Sequence, residues 1–427
     1  MTQITQVSAL GRVRIAVEAS FGTSETGSLG NFIDLPCQEG SVQMAALQEH
    51  LDPAVIQQHV HDWHNSDLVL GLKSSTLNFT THLPGSGAPS TGAPASLFTN
   101  IATCPTKRLL QTLMGGSVSG SLQAGAALAL AGSTASNLIV TAGYGTGLAP
   151  AGSGVAVLIN GKYEARQVLS SDSTNIVPNI AFSDAPAANA PLLFATAYHM
   201  IAGTTANMAS LQAIVEGAEA MDQWMAAGLQ GTFGIDVTSG QLAKLTVQLK
   251  GAGWERIGNE PLGTSSDSVG YMPVVNMDSE LIIGTGVITA CTTRNLVQHS
   301  TAQWLPSFQV LPITSPNGQH SSNIVGWKRA RGRAVTGNFI AYNDLASTTW
   351  LALDQAKTKF PICQQIGSTA SGFVLISAPT AQVNLAPVRT DASGLYGQTI
   401  SWVATNNKNT IAPATECAKS AFVIYIF

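Results

Sequence analysis

The chain has 427 residues, of which 45% are hydrophobic and only 10% are charged. This length exceeds that of a typical single domain and predicts two or three domains with a sizeable core. The net charge of −4 gives no overall attraction to nucleic acid, and a charged fraction well below the roughly 25% usual in soluble domains indicates that other subunits cover much of the surface.

Several classes of protein find no support in the sequence. The most apolar run, 122–132, is much shorter than the roughly 18 residues that span a membrane, and the first six residues lack the features of a signal peptide. The five cysteines are widely spread without a C-x-x-C pair, which favours reduced, buried thiols in a cytoplasmic assembly. Because no catalytic motif or carboxylate pair occurs, we predict no enzyme activity and no cofactor.

The chain opens as β structure, since 12–18 alternates between polar and apolar residues. Signals conflict over 44–63: Asp52-Pro53 is a good helix start, whereas the β-branched content suits an extended arm, and we predict a short helix. Leu77 and Phe79 alternate with polar residues, which predicts a strand over 76–83.

A mobile loop over 84–94 and a capped helix over 103–116 are predicted next. Three histidines, His59, His61 and His64, are spaced closely enough to bind zinc. They lack a cysteine partner or an H-E-x-x-H motif, so we predict no metal site.

The composition shifts to Ala, Gly, Ser and Thr from residue 117, where a compact β-module begins. Asn160-Gly161 between the alternating runs 155–159 and 162–168 is the strongest short-range signal for a hairpin, because both turn residues must accept a positive φ. We expect this module to fold locally, to run to about residue 200, and to project from the rest of the chain.

A strand over 242–251, with Leu245, Val247 and Leu249 on one face, echoes the strand at 76–83. Two copies of one strand and turn suggest two copies of one domain, although such alternation is also common in any β-rich protein. A second helix is predicted from Ser347 to about Phe360, and 421–427 is predicted to be a strand covered on both faces.

The predicted fold is therefore mainly β, with tandem antiparallel β-sandwich or barrel domains that each hold one short helix. The domains are expected at 1–116 and 201–427, and the small inserted β-module is expected at 117–200.

One dense basic cluster stands out, formed by Lys328, Arg329, Arg331 and Arg333. The three arginines alternate and would project from one face of a strand, where they could grip phosphate. Pairing with carboxylates between subunits explains them as well, and we favour inter-subunit contacts.

The ordered features resemble the tail tube proteins of long-tailed bacteriophages, in particular the larger ones with a β-barrel insertion. The matching pieces span most of the chain: 15–23, the Leu109-Leu110 helix ending at Gly115, the 154–168 hairpin, 229–251, Gly337-Asn338-Phe339, Ser377-Ala378-Pro379, 391–394 and the hydrophobic last strand. The loop at 84–94 and the histidine-rich stretch have no counterpart in this resemblance.

The resemblance implies a structural virion protein without catalysis, which stacks in rings to form the hollow conduit for genome ejection. It implies assembly in the host cytoplasm, with the tape measure protein, the tail terminator and baseplate or distal tail proteins as partners, and transient passage of double-stranded DNA. Two tube-like domains per chain predict a homotrimeric, pseudo-sixfold ring, with the inserted module outside and with acidic and small polar side chains on the channel wall.

Two other functions stay open. Another virion component, such as a capsid decoration or baseplate-hub protein, would be indicated by a subunit that fails to polymerise. A carbohydrate-binding or hydrolytic tail-fibre protein would need clustered aromatic residues or a carboxylate pair, and with aromatic residues at 6% neither is visible.

Overall fold

The structure is a computed structural model that describes residues 12–21, 32–51, 69–83, 105–118, 128–143, 145, 149–200, 208–216, 223–257, 279–286, 288–316, 323–342, 347–368, 372–384, 388–392, 395–405 and 416–427. Its helices are α1 Pro105–Met114, α2 Ser347–Gln355 and α3 Glu416–Lys419. Its strands are β1 Arg12–Val17, β2 Ile33–Leu35, β3 Gln43–Leu51, β4 Val69–His82, β5 Gly115–Val118, β6 Leu128–Ala129, β7 Leu138–Ile139, β8 Gly154–Ile159, β9 Lys162–Ser171, β10 Asn175–Pro178, β11 Ala190–Phe194, β12 Thr196–Met200, β13 Leu211–Glu216, β14 Gln223–Thr238, β15 Lys244–Gly251, β16 Gly253–Arg256, β17 Glu280–Thr285, β18 Thr293–Val297, β19 His299–Thr314, β20 Ile324–Tyr342, β21 Phe360–Ile366, β22 Val374–Val383, β23 Val388–Ala392, β24 Leu395–Ala404 and β25 Val423–Ile426.

Antiparallel pairing dominates, so the prediction of a mainly β, antiparallel fold is confirmed. Within one continuous 19-stranded sheet, eight strands lie side by side in the order β3-β4-β15-β14-β19-β20-β24-β23, and we call this part sheet A. It joins the next layer where β24 also pairs with β22. Its residues alternate between a face buried in the main core, where Phe79, Val247 and Phe339 lie, and a face of polar residues. This alternation is the period-2 pattern of a sheet with one covered side.

A second layer, which we call sheet B, packs on the buried face of sheet A. Its described strands follow the order β5-β12-β25-β22-β21-β17-β18, and every pair is antiparallel. In β25, Ile424 and Ile426 belong to the main core, whereas Val423 and Tyr425 belong to a separate core on the other side. The prediction of a last strand covered on both faces is therefore confirmed.

The helices lie close to where the sequence predicts them. The helix predicted over 103–116 is confirmed as α1, whose Leu109, Leu110 and Leu113 are fully buried. Helix α2 ends at Gln355, short of the predicted end, because Lys357 takes a positive φ and Phe360 already begins a strand.

The helix predicted over 44–63 is wrong for residues 44–51, which form β3 instead. Pairing with β4 places Met44 and Ala46 in the core, so tertiary contacts override the local helix signals. Residues 52–63 lie outside the described residues, and so does the loop predicted over 84–94.

The predicted module is a six-stranded sheet spanning 128–194, in the order β6-β11-β8-β9-β10-β7. Asn160 and Gly161 both have positive φ, 50° and 83°, which confirms the predicted hairpin between β8 and β9. The flanking strands β5 and β12 pair with each other in sheet B, so the module is an insertion into the connection between them.

The module covers sheet B rather than projecting freely. Gln365 of β21 accepts a hydrogen bond from the Ala165 amide (2.8 Å) and donates to the Tyr163 carbonyl (2.6 Å). The Tyr425 hydroxyl donates to the Gly152 carbonyl (2.6 Å). The Phe373 ring stacks on Tyr163 of the module at a centroid distance of 5.9 Å. Because this interface is buried and hydrogen-bonded, deleting the module would uncover an apolar face of sheet B.

Replacing Phe373 by Ala should reduce the free energy of unfolding by about 3–5 kcal/mol, since this ring fills the interface between the module and sheet B. Chemical denaturation of the unassembled chain is the measurement. Leu351→Ala, on an exposed site of α2, is the control and should change stability by less than about 0.5 kcal/mol. Equal effects of the two variants would contradict the interface.

A buried polar chain links the two sheets near Gln364. Its amide oxygen accepts a hydrogen bond from the Trp304 indole (2.6 Å), and its amide nitrogen lies 3.2 Å from Nε2 of His299. The other ring nitrogen of His299 lies 3.2 Å from the Val297 carbonyl, so the neutral ring with its proton on Nδ1 satisfies both contacts. Burial lowers the pKa of His299, and the Val297 carbonyl partly opposes this shift.

Because the pKa of His299 is lower in the folded than in the unfolded chain, its contribution to stability is complete above about pH 6.5 and is lost as the pH falls below that value. We expect the wild-type chain to lose stability more steeply than His299→Gln between pH 6.5 and the lower pKa of the folded state. Urea denaturation at a series of pH values measures this difference. Parallel curves for the two proteins would contradict it.

The described cysteines, Cys37, Cys291, Cys363 and Cys417, carry free thiols. Burial raises the pKa of Cys37 and Cys417 to about 12, and raises that of Cys291 and Cys363 to about 11. Thiols with such pKa values are poor nucleophiles at neutral pH.

Candidate functional site

The outward side of sheet A, which we call the polar face, carries rows of polar residues that cross several strands. One row of directly opposed residues crosses six strands: His82, Lys244, Asp236, Gln303, Asn338 and Ser401. A second row runs through Thr80, Thr246, Gly234, Leu305, Thr336 and Val403. The two rows therefore contain three threonines, two amides and a serine beside His82, the Lys244–Asp236 pair, a glycine and two apolar residues.

Hydrogen bonds between side chains connect the middle of the first row. The Gln303 amide donates to an Asp236 carboxylate oxygen (2.8 Å), and the Asn338 amide donates to the Gln303 carbonyl oxygen (3.1 Å). Lys244 lies directly opposite Asp236 on the neighbouring strand, so the charges of this row offset each other. The result is a nearly neutral, hydrogen-bonded row with neither the charge cluster nor the aromatic cluster of a binding pocket.

Sheet A has two open edges. Among the described residues, β3 pairs with one strand, β4, and β23 pairs with one strand, β24. An edge strand presents unpaired amide and carbonyl groups that can pair with another chain. The two edges are therefore candidates for contacts between subunits.

Exposed apolar side chains collect at the β23 edge. Val388, Leu395 and Tyr396 are 62%, 59% and 79% exposed, and all three belong to the β23–β24 hairpin. Soluble monomers rarely expose a group of large apolar side chains on an edge, and such groups mark interaction sites. Sequence reasoning missed this hairpin because nothing in its residues tells an exposed apolar strand from a buried one.

The basic cluster is divided by the fold. Lys328 is exposed, whereas the guanidinium group of Arg329 turns inward and donates to the carbonyls of Leu113 (2.6 Å) and Met114 (3.1 Å) at the end of α1. A cation at this position satisfies helix carbonyls and interacts favourably with the helix dipole. This intramolecular role was not foreseen from the sequence, and an inter-subunit role of the cluster stays a prediction.

Arg331 and Arg333 lie in the same strand, where the pairing is irregular. Three residues of β19, from Phe308 to Val310, oppose five residues of β20, from Arg333 to Arg329. The simple alternation on which the predicted arginine face depends is therefore interrupted. The side chains of Arg331 and Arg333 lie outside the described set.

Replacing Arg329 by Met keeps the apolar stem but removes the donors to the α1 carbonyls. We expect the free energy of unfolding to fall by about 1–2 kcal/mol, measured by denaturation of the unassembled chain. Lys328→Met is the matched control and should have almost no effect. If Arg329→Met left stability unchanged and abolished only assembly, the inter-subunit prediction would hold instead.

The described residues provide neither a metal site nor a membrane-spanning helix. The stretch with His59, His61 and His64 lies outside the described residues. Elsewhere, the described residues contain no group of three or more His, Cys, Asp or Glu side chains that could hold a metal ion. None of the described helices is both long and apolar enough to cross a membrane.

No family model matches this sequence. No curated protein gives a significant match either. The features of the chain that bear on its function are therefore the polar face, the open edges and the order of the strands.

Proposed function

We propose that the protein is a tail tube subunit of a long-tailed bacteriophage, which polymerises as stacked rings into a conduit for double-stranded DNA. The observation that carries the proposal is an eight-stranded sheet with two open edges and one neutral polar face. A subunit that closes a ring through its sheet edges needs both features. The resemblance of the ordered sequence features to tail tube proteins supports the same function.

The strand order supports two tandem tube-like domains. Sheet A consists of a first half, β3-β4-β15-β14, and a second half, β19-β20-β24-β23. In each half, a hairpin is followed by a helix, a pair of strands in sheet B and a second hairpin that returns to sheet A. The inserted module occupies the connection between β5 and β12, where the second half has only the short link 367–373.

The directions of the strands permit a ring. All neighbouring strands of sheet A are antiparallel and their number is even, so β3 and β23 point in opposite directions. When copies are related by rotation about an axis along the strands, β23 of one copy meets β3 of the next as an antiparallel pair. The contact joins two different edges and is therefore heterologous. It produces a closed ring when the rotation between neighbouring copies divides a full turn evenly.

The size of such a ring suits a DNA conduit. Three copies supply about 24 strands, and with a spacing of about 4.8 Å and a tilt of about 40° the backbone diameter is about 48 Å. Side chains reduce the bore to roughly 35–40 Å, since they fill about 5 Å on each side. A barrel of this size leaves an open channel.

The layers of the chain give a radial order for the proposed tube. The polar face of sheet A would line the channel, sheet B would lie behind it, and the inserted module, which packs on the far side of sheet B, would be outside. In the two rows described above, the one lysine faces an aspartate and most other residues are uncharged, so such a wall makes few phosphate contacts and a duplex can slide. The tape measure, terminator and baseplate or distal tail proteins remain the proposed partners.

Native mass spectrometry and negative-stain electron microscopy of the purified 44.2 kDa chain test the proposal. We expect rings whose chain number is three, stacked into tubes. Val388→Lys together with Thr390→Lys should abolish rings by placing cations on the β23 edge, without lowering the unfolding midpoint. Leu351→Lys, on exposed α2, is the matched control and should assemble normally.

Two results would overturn the proposal. A wild-type chain that stays monomeric at high concentration would favour a capsid decoration or baseplate-hub protein. Rings of six chains would refute the trimer and with it the pairing of tandem domains.

A further inference from the structure

We infer that neighbouring copies pair in the register of the contact between β14 and β19 inside the chain, so that Thr390 lies opposite Gln43 of the next copy and Val388 lies opposite its Ala45. This inference rests on the proposed ring, and it specifies which residues of the second copy each edge meets. The internal contact between the two halves of sheet A is the template.

The halves can be aligned residue by residue. Thr76-Leu77-Asn78-Phe79 in β4 and Thr336-Gly337-Asn338-Phe339 in β20 share Thr, Asn and Phe at the same positions. The preceding strand confirms this alignment, because Gln43 of β3 opposes Asn78 just as Gln303 of β19 opposes Asn338. A glutamine thus faces an asparagine at the same place in both hairpins.

The returning hairpins align through the shared phenylalanine. Phe79 opposes Val247, and Phe339 opposes Ile400, so Val247 and Ile400 are equivalent. Three residues before them, Lys244 opposes Asp236 in the first half and Gly397 opposes Thr390 in the second. Asp236 and Thr390 therefore occupy equivalent positions.

By the same count, Gly234 is equivalent to Val388, because they oppose Thr246 and Thr399. The position equivalent to Leu305 of β19 is Ala45 of β3, two residues after the matched glutamines. With the internal contact as the template, these equivalences define which residues would lie opposite each other between copies.

In the internal contact, Asp236 opposes Gln303 and accepts its amide at 2.8 Å. At the equivalent contact between two copies in the ring, Thr390 would lie opposite Gln43 of the next copy, so that a hydroxyl group faces an amide group. Gln43 is exposed and Thr390 is half-buried in the single chain, so both are accessible for this contact.

In the pair next to it along the strands, the volumes of the two side chains compensate for each other. Inside the chain a small residue faces a large one, since a Cβ added to Gly234 would lie only 3.1 Å from Cδ2 of Leu305. Between copies the sizes are reversed: the large side chain is Val388, which is 62% exposed, and the small one is Ala45. Reversed sizes at one equivalent contact are expected if both contacts have the same geometry.

The third pair departs from the template. Ile235 opposes Trp304 inside the chain, whereas Arg389 would oppose Met44 of the next copy. Arg389 is exposed, so its aliphatic stem can cover Met44 while the guanidinium group stays in water. The Trp254 indole donates to the Leu47 carbonyl (3.1 Å), which leaves the earlier part of β3 clear for pairing.

Disulfide trapping tests the register. Gln43→Cys combined with Thr390→Cys should give covalent trimers on a non-reducing gel after mild oxidation, whereas Gln43→Cys combined with Val388→Cys, two residues out of register, should give none. Within one chain the two strands are separated by about 34 Å across sheet A, so any bond joins two copies. The single-cysteine variants control for the native thiols.

Exchanging the sizes of the two side chains at the contact between Val388 and Ala45 tests the register independently. Ala45→Leu should raise the concentration for half-maximal ring formation about tenfold by crowding Val388, and adding Val388→Gly should restore it by recreating the internal Leu–Gly pair. Failure of this rescue would overturn the register. Cross-linking of the offset cysteines in intact rings would also overturn it, whereas a wild-type chain without rings would overturn the proposed function itself.

Discussion

The two halves of the chain are held together by the β14–β19 pairing in sheet A and, in sheet B, by one strand that both halves use. Strand β25 pairs with β12, which precedes the first returning hairpin, and with β22, which precedes the second. Next to it, Phe422 packs against Phe233 of the first half and Trp304 of the second, at centroid distances of 6.5 and 6.0 Å. Without this strand, sheet B would divide where the halves meet. The relative position of the halves is therefore fixed by burial in a shared core.

Elements that are determined by residues close in the sequence could be predicted from the sequence. The Asn160-Gly161 hairpin and helix α1 follow from turn residues and from apolar spacing, and both are confirmed. Strand β3 was mistaken for part of a helix because its alternation is short and the residues it pairs with lie 18 to 35 positions away in the sequence. The capping of α1 by Arg329, 215 residues distant, has no local signal at all. Sequence periodicity reports the faces of an element but does not report which element covers them.

The strands at 76–83 and 242–251 have similar sequence patterns, which suggested a duplicated domain. The similarity has another cause. These two strands are direct neighbours, with Leu77 opposite Leu249 and Phe79 opposite Val247, so their patterns agree because they share one face of one sheet. The residue-level match that supports two tandem units is instead between β4 and β20, through Thr, Asn and Phe. The match between β4 and β20 could not be recognised from the sequence, because a shared pattern of three residues is too weak to align two strands until their registers are known.

The two rows on the polar face differ in composition from an ordinary solvent-facing surface. A free monomer gains solubility from interspersed Lys, Arg, Glu and Asp, typically about 25–35% of its surface. In the two rows described here, Lys244 and Asp236 face each other, and the remaining positions hold His82 and uncharged residues. Hydrogen bonds among Asp236, Gln303 and Asn338 occupy polar groups that could otherwise hold a phosphate. Such a surface is a poor choice for keeping a monomer in solution, but it suits a wall along which a polyanion must move without being held.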